Sequence, residues 1–369
     1  MTKDEIQQAI LDAITQHTAY TTRLSSASVN EILAKFDKLS NEQLSVLRDL
    51  LDSMTNAELT ALSSAKYTTP ALKEFKSTID DWITQITTQL QPMFVESAIA
   101  LTAYEASYIY RLADKEAPAI NGKSLYSQFK QKPYAVGMLV DQIFPNVSST
   151  LRKKLENTIR DGVSNGQTTQ QIVKRIKGTK ALNYNDGILD ATRKDITTEV
   201  RTARNHLANE AYSDVYKALG VKYVKFLSTL DGRTSPICVL NSDKVYQADK
   251  AHPIPPLHRN CRSKLIPCDK DGNIDGMRPF VESDKPVSKI PKDQREGIIG
   301  QVDANTTFAE FFANADKTFQ RNWLGPTRLK LYETGKYPIT KFIDPLNGSK
   351  YTLAELKKMD EQTFKSLGL

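Results

Sequence analysis

Apolar residues recur every three or four positions through the first 115 residues, a spacing that places them on one side of an α-helix. Two such stripes are Leu44, Leu47, Leu50 and Leu51, and Phe75, Ile79, Trp82, Ile83 and Ile86. The second helix is predicted to begin near Pro70 and to be kinked or split at Pro92, because proline lacks the N–H that a helix interior needs. These patterns predict a helical N-terminal domain over residues 1–115, whose stripes pack in a core or contact a partner.

Residues 116–147 interrupt this pattern with three prolines and two glycines, and they are predicted to be a connector with one short helix. Helical spacing returns afterwards and breaks at the sequence DGVSNG, beyond which Thr168 or Thr169 should cap the next helix. A long helix is predicted over residues 186–219, with Gly220 in the left-handed position that ends many helices.

Three short stretches after the long helix are predicted to be β-strands. VKYVKFLST, KVYQ and CRSKLIP combine alternation with β-branched and aromatic residues. They predict a small α+β unit, here called the knot (residues 221–268), in which three short antiparallel strands pack on the long helix. Together with the preceding helices, the knot makes up a predicted α+β domain over residues 148–268.

The last hundred residues are predicted to contain a linker and a second compact unit. Residues 269–300 are polar and contain prolines and glycines, which is typical of a lightly structured linker. Residues 301–369 predict a small C-terminal α+β domain. It has one amphipathic helix over TFAEFFANADKTFQRNWLG, two strands around an Asn347-Gly348 turn, and a final helix opened by the capping box Thr352–Glu355. The predicted fold class is therefore mainly α, with the knot and this small C-terminal α+β unit.

Charge is unevenly distributed along the chain, whose formal net charge is +7. Residues 1–150 hold 13 lysines and arginines against 17 aspartates and glutamates, whereas residues 151–369 hold 37 against 26. A basic second half favours contact with a nucleic acid, and a solvated basic face is the equally weighted alternative. The candidate DNA contacts are Arg152, Lys153, Lys154, Lys174, Arg175 and Lys177. The basic residues of the long helix, away from its apolar face, are Arg193, Lys194, Arg201 and Arg204.

Three cysteines, an odd number, fit a reducing compartment better than a disulfide-stapled secreted domain. The sequence has no window of about 18 uninterrupted apolar residues, and its start has no basic region followed by an apolar run. We therefore expect a soluble protein made in a cytoplasm, with no membrane partner.

All three cysteines and two of the four histidines lie within residues 231–268. His258 and Cys261 have the two-residue separation of a zinc-binding pair, whereas Cys238 lacks such a partner because Ser235 stands three residues before it. Candidates for a fourth donor are Cys268, Asp231 and His252. The spacing leaves two alternatives open: one structural zinc, with Cys268 as the fourth ligand, or no cofactor.

Without metal, the same segment predicts a unit held together by side-chain hydrogen bonds. Buried cysteine behaves as a small hydrophobic residue, and His258 can bond a carbonyl oxygen in the proline-rich turn. Asp231 and Arg233 flank another turn, where the carboxylate can accept backbone N–H groups and the guanidinium can bind a carbonyl or carboxylate.

A catalytic site is the less favoured interpretation. Cys238 and His258 could pair as nucleophile and base, but no glycine motif for an oxyanion hole stands beside them. A metal-dependent nuclease could use Asp231, Asp243 and His258, yet paired carboxylates at strand-end spacing are missing. We therefore expect no enzyme activity, with a nuclease or a toxin-like transferase as the alternative.

Three stretches occur in a distinctive order: the helix TEVRTARNHLANEAYSDVYKALG, then DGRTSPIC, then PPLHRNCRSKLIP. In this order they resemble the phage head morphogenesis proteins, also called the Mu F-like minor head or minor capsid family. Matching positions are Asp231, Arg233, Thr234, Cys238, Pro255, Pro256, His258, Cys261 and Arg262. Two positions depart from the pattern, since Ser235 and Ser263 stand where many members have cysteine. The resemblance covers roughly residues 150–268, and the C-terminal tail is also similar to tails of longer members.

The resemblance implies a virion component present in few copies at the portal end of the head, needed for head assembly or DNA delivery. Its partners would be the portal protein, the major capsid or scaffold protein and packaged DNA. It would reside in the head of the virion, and in the host cytoplasm during assembly. The residues expected to form the structural motif are Asp231, Arg233, Thr234, Pro255, Pro256, His258 and Arg262.

Overall fold

The computed structural model describes residues 3–135, 137–335 and 337–369, with the backbone alone over residues 3–25. Thirteen α-helices and six strands account for most of this described part of the chain. The predicted fold class is confirmed, because the chain is mainly α with two small three-stranded sheets. Among the described residues, no helix combines the length and the apolar character needed to cross a bilayer.

Seven helices precede the first strand. They are α1 (Lys3–Ser53), α2 (Asn56–Ser63), α3 (Pro70–Leu112), α4 (Gly122–Phe129), α5 (Ile143–Ser164), α6 (Thr169–Lys177) and α7 (Ile188–Ala218). The predicted break after α5 is confirmed, since Oγ1 of Thr168 accepts a hydrogen bond from the N–H of Gln171 and caps α6. The predicted long helix is α7, and Gly220 follows it with φ at 71°.

Helix α3 runs through Pro92 without ending, so of the two predicted outcomes, a kink or a split, the split does not occur. Leu90 and Phe94, on either side of the proline, are buried at 1% exposure or less. A proline in a helix interior costs about 3 kcal/mol. Burying two large apolar side chains contributes about 1.5–3 kcal/mol each. Packing therefore outweighs the missing N–H and holds the helix together.

One core runs from the N-terminal helices into the knot. Helix α3 contacts α1, α5 and α7, and Trp82, Ile196 and Phe226 all belong to one buried cluster. The short helix predicted in the connector is α4, and Phe129 at its end is fully buried in the same cluster. Because the apolar faces of α3 and α7 cover each other, the predicted boundary at residues 116–147 does not divide two cores.

The knot contains a three-stranded antiparallel sheet on α7. Strand β1 (Tyr223–Leu227) lies between β3 (Val245–Gln247) and β4 (Lys264–Cys268). Val224 and Phe226 share one face of β1 and are both buried. The three predicted strands are thus confirmed, and β1, the first in sequence, is the central one.

A second sheet corrects the prediction that residues 269–300 form a lightly structured linker. Its strands are β2 (Leu230–Asp231), β5 (Met277–Val281) and β6 (Ile299–Asp303). Strand β5 pairs with β2 in parallel and with β6 in antiparallel orientation. The sequence pattern does not predict β5, because the buried residue of this strand is a cation, Arg278, at 4% exposure. The Arg278 guanidinium donates to the carbonyl oxygens of Ser228 and Thr306, and the carboxylate of Asp243 lies 3.7 Å away, so the buried cation has both hydrogen-bond acceptors and a counter-charge.

A separate buried cluster forms the C-terminal unit. Its helices are α9 (Phe308–Asn314), α10 (Lys317–Leu324), α11 (Pro326–Glu333), α12 (Leu353–Met359) and α13 (Glu361–Ser366). The single helix predicted at its start is divided into α9 and α10, because the Asp316 carboxylate accepts from the N–H of Phe319 at 2.8 Å and caps a new helix. The two predicted strands are reduced to one bridge, between Ile343 and Lys350. The capping box Thr352–Glu355 is confirmed.

Candidate functional site

Asp231 lies at the end of β2 and is 1% exposed. Its carboxylate accepts hydrogen bonds from both terminal nitrogens of Arg262, at 2.5 and 2.8 Å, and from the backbone N–H of Arg233 at 3.0 Å. Burial alone would raise the pKa of Asp231, but the guanidinium groups of Arg262 and Arg233 outweigh it and hold the pKa below its ordinary value. This bidentate pair fixes the turn after β2 to the segment before β4.

Thr234 connects this ion pair to the C-terminal unit. Its Oγ1 hydrogen-bonds the carbonyl oxygen of Thr229 and lies 3.2 Å from Oδ1 of Asp231. Its own carbonyl oxygen accepts a hydrogen bond from Nε1 of Trp323 at 3.2 Å. Four residues of the sequence motif, Asp231, Arg233, Thr234 and Arg262, therefore form one hydrogen-bonded frame, which also holds a helix of the C-terminal unit.

Pro255 and Pro256 are both buried and form a cis peptide bond before the histidine. The carbonyl oxygen of Pro256 accepts a hydrogen bond from the N–H of Ala135 at 3.2 Å. On the other side of the histidine, the N–H of Asn260 donates to Oγ1 of Thr202 on α7 at 2.9 Å. The loop that carries His258 is thus attached at both ends to the helical core.

Cys238, His258 and Cys261 come together, since one ligand atom of each lies within 4.8 Å of the other two. Cys238 is on α8 (Pro236–Asn241), and its Sγ is 3.5 Å from Sγ of Cys261. Nδ1 of His258 lies 2.7 Å from the carbonyl oxygen of Arg259, which assigns the proton to Nδ1. The other ring nitrogen is therefore the one left for Cys261. These three residues are called the Cys–His–Cys group below.

Hydrogen bonding polarises the Cys–His–Cys group. The hydrogen bond from Cys238, helped by His258, lowers the pKa of Cys261 against the effect of burial. The same sulfur contact, together with burial, raises the pKa of Cys238. Burial lowers the pKa of His258, but the hydrogen bond and charge of Cys261 outweigh it and raise the pKa. A thiolate beside an imidazole is the state in which these side chains bind a metal ion.

The donors of the Cys–His–Cys group fit a zinc ion. Thiolate and imidazole are the ligands that Zn²⁺ prefers, with Zn–S bonds of about 2.3 Å in a tetrahedron. The sulfur separation of 3.5 Å is close to what two such bonds require. Nδ1 of His258 bonded to a backbone carbonyl is also the outer contact that commonly orients a metal-binding histidine.

Cys268, the predicted fourth ligand, is not among the donors that come together in the described part of the chain. Cys268 ends β4 opposite Tyr223, and the extended strand, at about 3.3 Å per residue, carries it roughly 13 Å along the sheet from Lys264. The other candidates for a fourth donor are also engaged elsewhere. Asp231 is bonded to two arginines, and the His252 ring stacks on Tyr246 with centroids 5.5 Å apart.

Ser235 and Ser263 line a cavity of about 10 Å³ together with Cys238 and His258. A cavity of this volume holds about one water molecule or ion. Oγ of Ser235 is inaccessible to solvent and has no hydrogen-bond partner among the described residues. The two hydroxyl groups therefore occupy positions beside the Cys–His–Cys group, and none of the described residues adds a fourth donor of good zinc affinity there.

Of the six cations predicted to contact DNA, three form ion pairs with carboxylates of the protein. The ion pairs are Arg152–Asp80 at 2.5 Å, Lys154–Asp195 at 3.6 Å and Arg175–Asp161 at 2.7 Å. Lys153, Lys174 and Lys177 are exposed, and Lys177 lies over the Tyr184 ring at 5.7 Å. Carboxylates within the patch therefore compete with a phosphate for three of its six cations.

A groove of about 980 Å³ beside the Cys–His–Cys group was missed by the sequence prediction. The cations that line this basic groove are Lys194, Arg201, Arg204, Arg233, Arg259, Arg262 and Lys264. The basic face of α7 was a signal in the sequence for the first three. The other four are distant in sequence from α7, and the loop that carries three of them is bonded to α7 through Asn260, Cys261 and Lys264.

The carboxylates considered for a nuclease do not join the Cys–His–Cys group. In the described part of the chain, Asp231 is held by Arg233 and Arg262. Oδ1 of Asp243 lies 3.7 Å from a nitrogen of Lys225 and of Arg278. Each carboxylate thus balances cations of its own, at a place separate from His258.

Residues 153–266 match the family model described as Phage Mu protein F like protein. The matched segment contains α7, the first sheet, the Asp231–Arg262 pair and the Cys–His–Cys group. No curated protein and no solved structure matches the chain. The resemblance to the Mu F-like head morphogenesis family is therefore confirmed over this segment, which is less than half of the 369 residues.

Proposed function

From its Phage Mu protein F-like segment, we propose that this chain is a minor head protein of a phage, incorporated near the portal during head morphogenesis. The observation that carries the proposal is the family match over the residues that build the Asp231–Arg262 frame. The proposed partners are the portal protein, the major capsid or scaffold protein, and packaged DNA. The proposed locations are the host cytoplasm during assembly and the head of the virion afterwards.

The contacts of the motif residues support a structural role rather than catalysis. Asp231, Arg262 and Thr234 use their polar atoms on one another or on backbone groups. Through them, the turn after β2, the segment before β4 and the C-terminal unit are joined at one place. A catalytic site would instead direct such groups toward a substrate.

We also propose that the Cys–His–Cys group binds a structural zinc ion. Cys238 would contribute its thiolate from α8, and His258 and Cys261 would contribute theirs from the following loop. The ion would cross-link the helix to the loop at the place where the sulfur atoms of Cys238 and Cys261 are in contact. Its fourth position would be taken by water or by a serine hydroxyl in the small cavity.

Comparison of purified heads tests the proposed function. Heads from the phage that encodes the chain are compared with heads from mutants that lack the portal protein. Quantitative mass spectrometry should find the chain in few copies relative to the coat protein, and only where the portal is present. Equal amounts of the chain in heads without the portal protein would contradict its assignment to the portal end. Absence of the chain from all heads would contradict the proposal that it is a head protein.

A variant pair connects incorporation to the folded knot. Asp231→Asn removes the charge that holds two arginines, whereas Asp271→Asn changes an exposed carboxylate on the same unit's edge. Complementation with each variant should restore incorporation for Asp271→Asn and reduce it for Asp231→Asn. Equal incorporation of both would show that the frame is not needed for head assembly.

A further inference from the structure

The basic groove has the dimensions and charge of a binding site for an extended anion. It lies between α7 and the loop that carries His258, and its volume of about 980 Å³ is at the upper end of the range for ligand sites. Seven lysine and arginine side chains line it. Glu105 is the single carboxylate among the described residues that line the groove.

Positive charge remains in excess after the neighbouring carboxylates are taken into account. The ion pairs at the groove are Lys194–Asp190, Arg259–Glu199, Arg233–Asp231 and Arg262–Asp231. Together with Glu105, four carboxylates therefore face seven cations. Arg201 is exposed and forms no ion pair with any residue that the structure describes. The side chain of Arg259 is 59% exposed and can bond a ligand while it keeps Glu199.

The uncharged lining of the groove favours phosphate over other anions. Its polar members include Thr197, Thr198, Asn205 and Asn260, and in the described part of the chain no phenylalanine, tyrosine or tryptophan lines it. A site that binds bases would supply aromatic rings for stacking, and a peptide groove would supply apolar pockets. Hydroxyl, amide and guanidinium groups are the donors that contact phosphate oxygens in nucleic-acid complexes.

The positions of the cations on α7 suit a strand rather than a single phosphate. Lys194 and Arg201 are seven residues apart, about two helical turns, and therefore lie on the same side of the helix about 10 Å apart. Arg259 and Arg262 lie across the groove, in the loop beyond the cis proline. Charges on two walls can contact successive phosphates of one backbone.

We propose that the basic groove binds the phosphate backbone of a nucleic-acid strand, without base specificity. This site is distinct from the patch of Arg152, Lys154 and Arg175, whose cations are held by carboxylates. The inference rests on the proposed function only for identifying the strand as packaged DNA. Strand binding itself is a property of the purified full chain.

Fluorescence anisotropy of the full chain with a labelled DNA strand of mixed sequence tests this site. Affinity should fall linearly with salt on a double logarithmic scale, with a slope of about −2 if about three phosphates are contacted. Arg201→Glu should weaken binding about tenfold or more, and Lys194→Gln combined with Arg201→Glu should weaken it further. A strand of another base composition should bind equally well.

Matched variants of the other basic patch are the control. Lys153→Glu, and Lys174→Gln combined with Lys153→Glu, change the same charges at exposed residues outside the groove and should bind nearly as the parent does. Equal losses in both variant sets would overturn the groove as the site. More effective competition by polyglutamate than by unlabelled DNA at equal charge would overturn the phosphate strand in favour of an acidic peptide.

Two further readouts separate this inference from folding and from head assembly. Thermal unfolding of Arg201→Glu should match that of the parent chain, because Arg201 is exposed. Failure to bind DNA by a parent chain that is still incorporated into heads would overturn the groove inference and leave the proposed function standing. DNA binding by a chain that is absent from heads would support the groove inference and overturn the proposed function.

Discussion

The indole Nε1 of Trp323 donates a hydrogen bond to the carbonyl oxygen of Thr234 over 3.2 Å, and so attaches the C-terminal unit to the motif around Asp231. Trp323 is 6% exposed and lies in the buried aromatic cluster of that unit. A carbonyl oxygen that loses such a donor inside the protein stays unsatisfied. This bond therefore contributes both to stability and to the relative position of the two units.

Replacement of Trp323 by Phe should destabilise the protein beyond the loss of ring volume. Trp82→Phe is the matched control, because Trp82 is fully buried and its Nε1 has no partner among the described residues. Both variants lose part of an indole, but only Trp323→Phe leaves a carbonyl without a donor. Urea unfolding should show an additional loss of about 1–3 kcal/mol for Trp323→Phe. An equal decrease in the free energy of unfolding for both variants would show that this hydrogen bond does not contribute to stability.

Zinc binding should depend on Cys261 and not on Cys268. Cys261→Ser removes a donor of the Cys–His–Cys group, whereas Cys268→Ser alters a buried thiol that ends β4. Reduced protein is loaded with zinc, passed through a desalting column and analysed for metal by mass spectrometry. The parent chain and Cys268→Ser should retain a single ion, and Cys261→Ser should lose it. Loss of the metal from Cys268→Ser would place the site elsewhere.

Restoring a thiol at Ser235 should tighten zinc binding. Ser235 lines the small cavity beside Cys238 and His258, so a cysteine there would supply the fourth donor that tetrahedral zinc lacks. Competition with a chelator should show at least about tenfold higher affinity for Ser235→Cys than for the parent chain. Ser288→Cys, on a segment that lines the basic groove, is the control and should leave the affinity unchanged.

Asp231→Asn should lower the free energy of unfolding by about 2–4 kcal/mol, because it leaves the buried side of two guanidinium groups without its counter-charge. The control is Asp271→Asn, whose carboxylate is 66% exposed and 3.9 Å from Lys270. Exposed pairs of this kind contribute about 0–1 kcal/mol. Chemical denaturation of both variants checks the difference, and similar values would contradict a frame held by Asp231.

The contribution of Lys350 to the stability of the C-terminal unit should increase between about pH 8 and pH 10. Burial and the nearby charge of Arg328 lower the pKa of Lys350 from 10.5 to about 8, and its Nζ lies 3.7 Å from the centre of the Trp323 ring. Between these two pKa values the unfolded chain binds more protons than the folded chain at this residue. The contribution of Lys350 to stability therefore increases with pH in that window.

Lys350→Met should remove this pH dependence. The free energy of unfolding of the parent chain, relative to that of the variant, should increase between about pH 8 and pH 10. Lys358→Met, at an exposed position of α12, should follow the parent chain across the same range. A constant difference between parent and Lys350→Met would show that Lys350 titrates alike in both states.

Local chemistry explains the parts of the fold that could be predicted. Thr168, Gly220 and the Thr352–Glu355 capping box act within one turn of chain, and their helices begin or end where the sequence indicates. Pro92 is the exception, because packing of residues far apart in sequence outweighs its local effect. Strand β5 could not be predicted for a similar reason. Its buried residue is Arg278, which bonds two carbonyl groups that are distant in sequence.

In the candidate site, too, features set by neighbouring residues could be predicted, and features set by distant residues could not. The short spacing of His258 and Cys261 predicts two residues that the structure places side by side, whereas the position of Cys268 depends on the direction in which β4 leaves the loop. The basic groove requires cations from α7 and from the segment after Pro256 to meet across many residues. Counting charges along the sequence identifies a basic half of the chain. It does not show which of the basic side chains are paired with carboxylates in the folded protein.

The shared core described above also limits how this protein can be inherited or recombined. The segment that matches the family model begins at residue 153, whereas α3, which covers the apolar face of α7, ends at Leu112. Transfer of the matched segment alone into another protein would leave Ile196 and its neighbours without Trp82 and the rest of that helix. A transferred segment therefore has to include the preceding helices in order to fold, so the folding unit is larger than the segment of recognisable similarity.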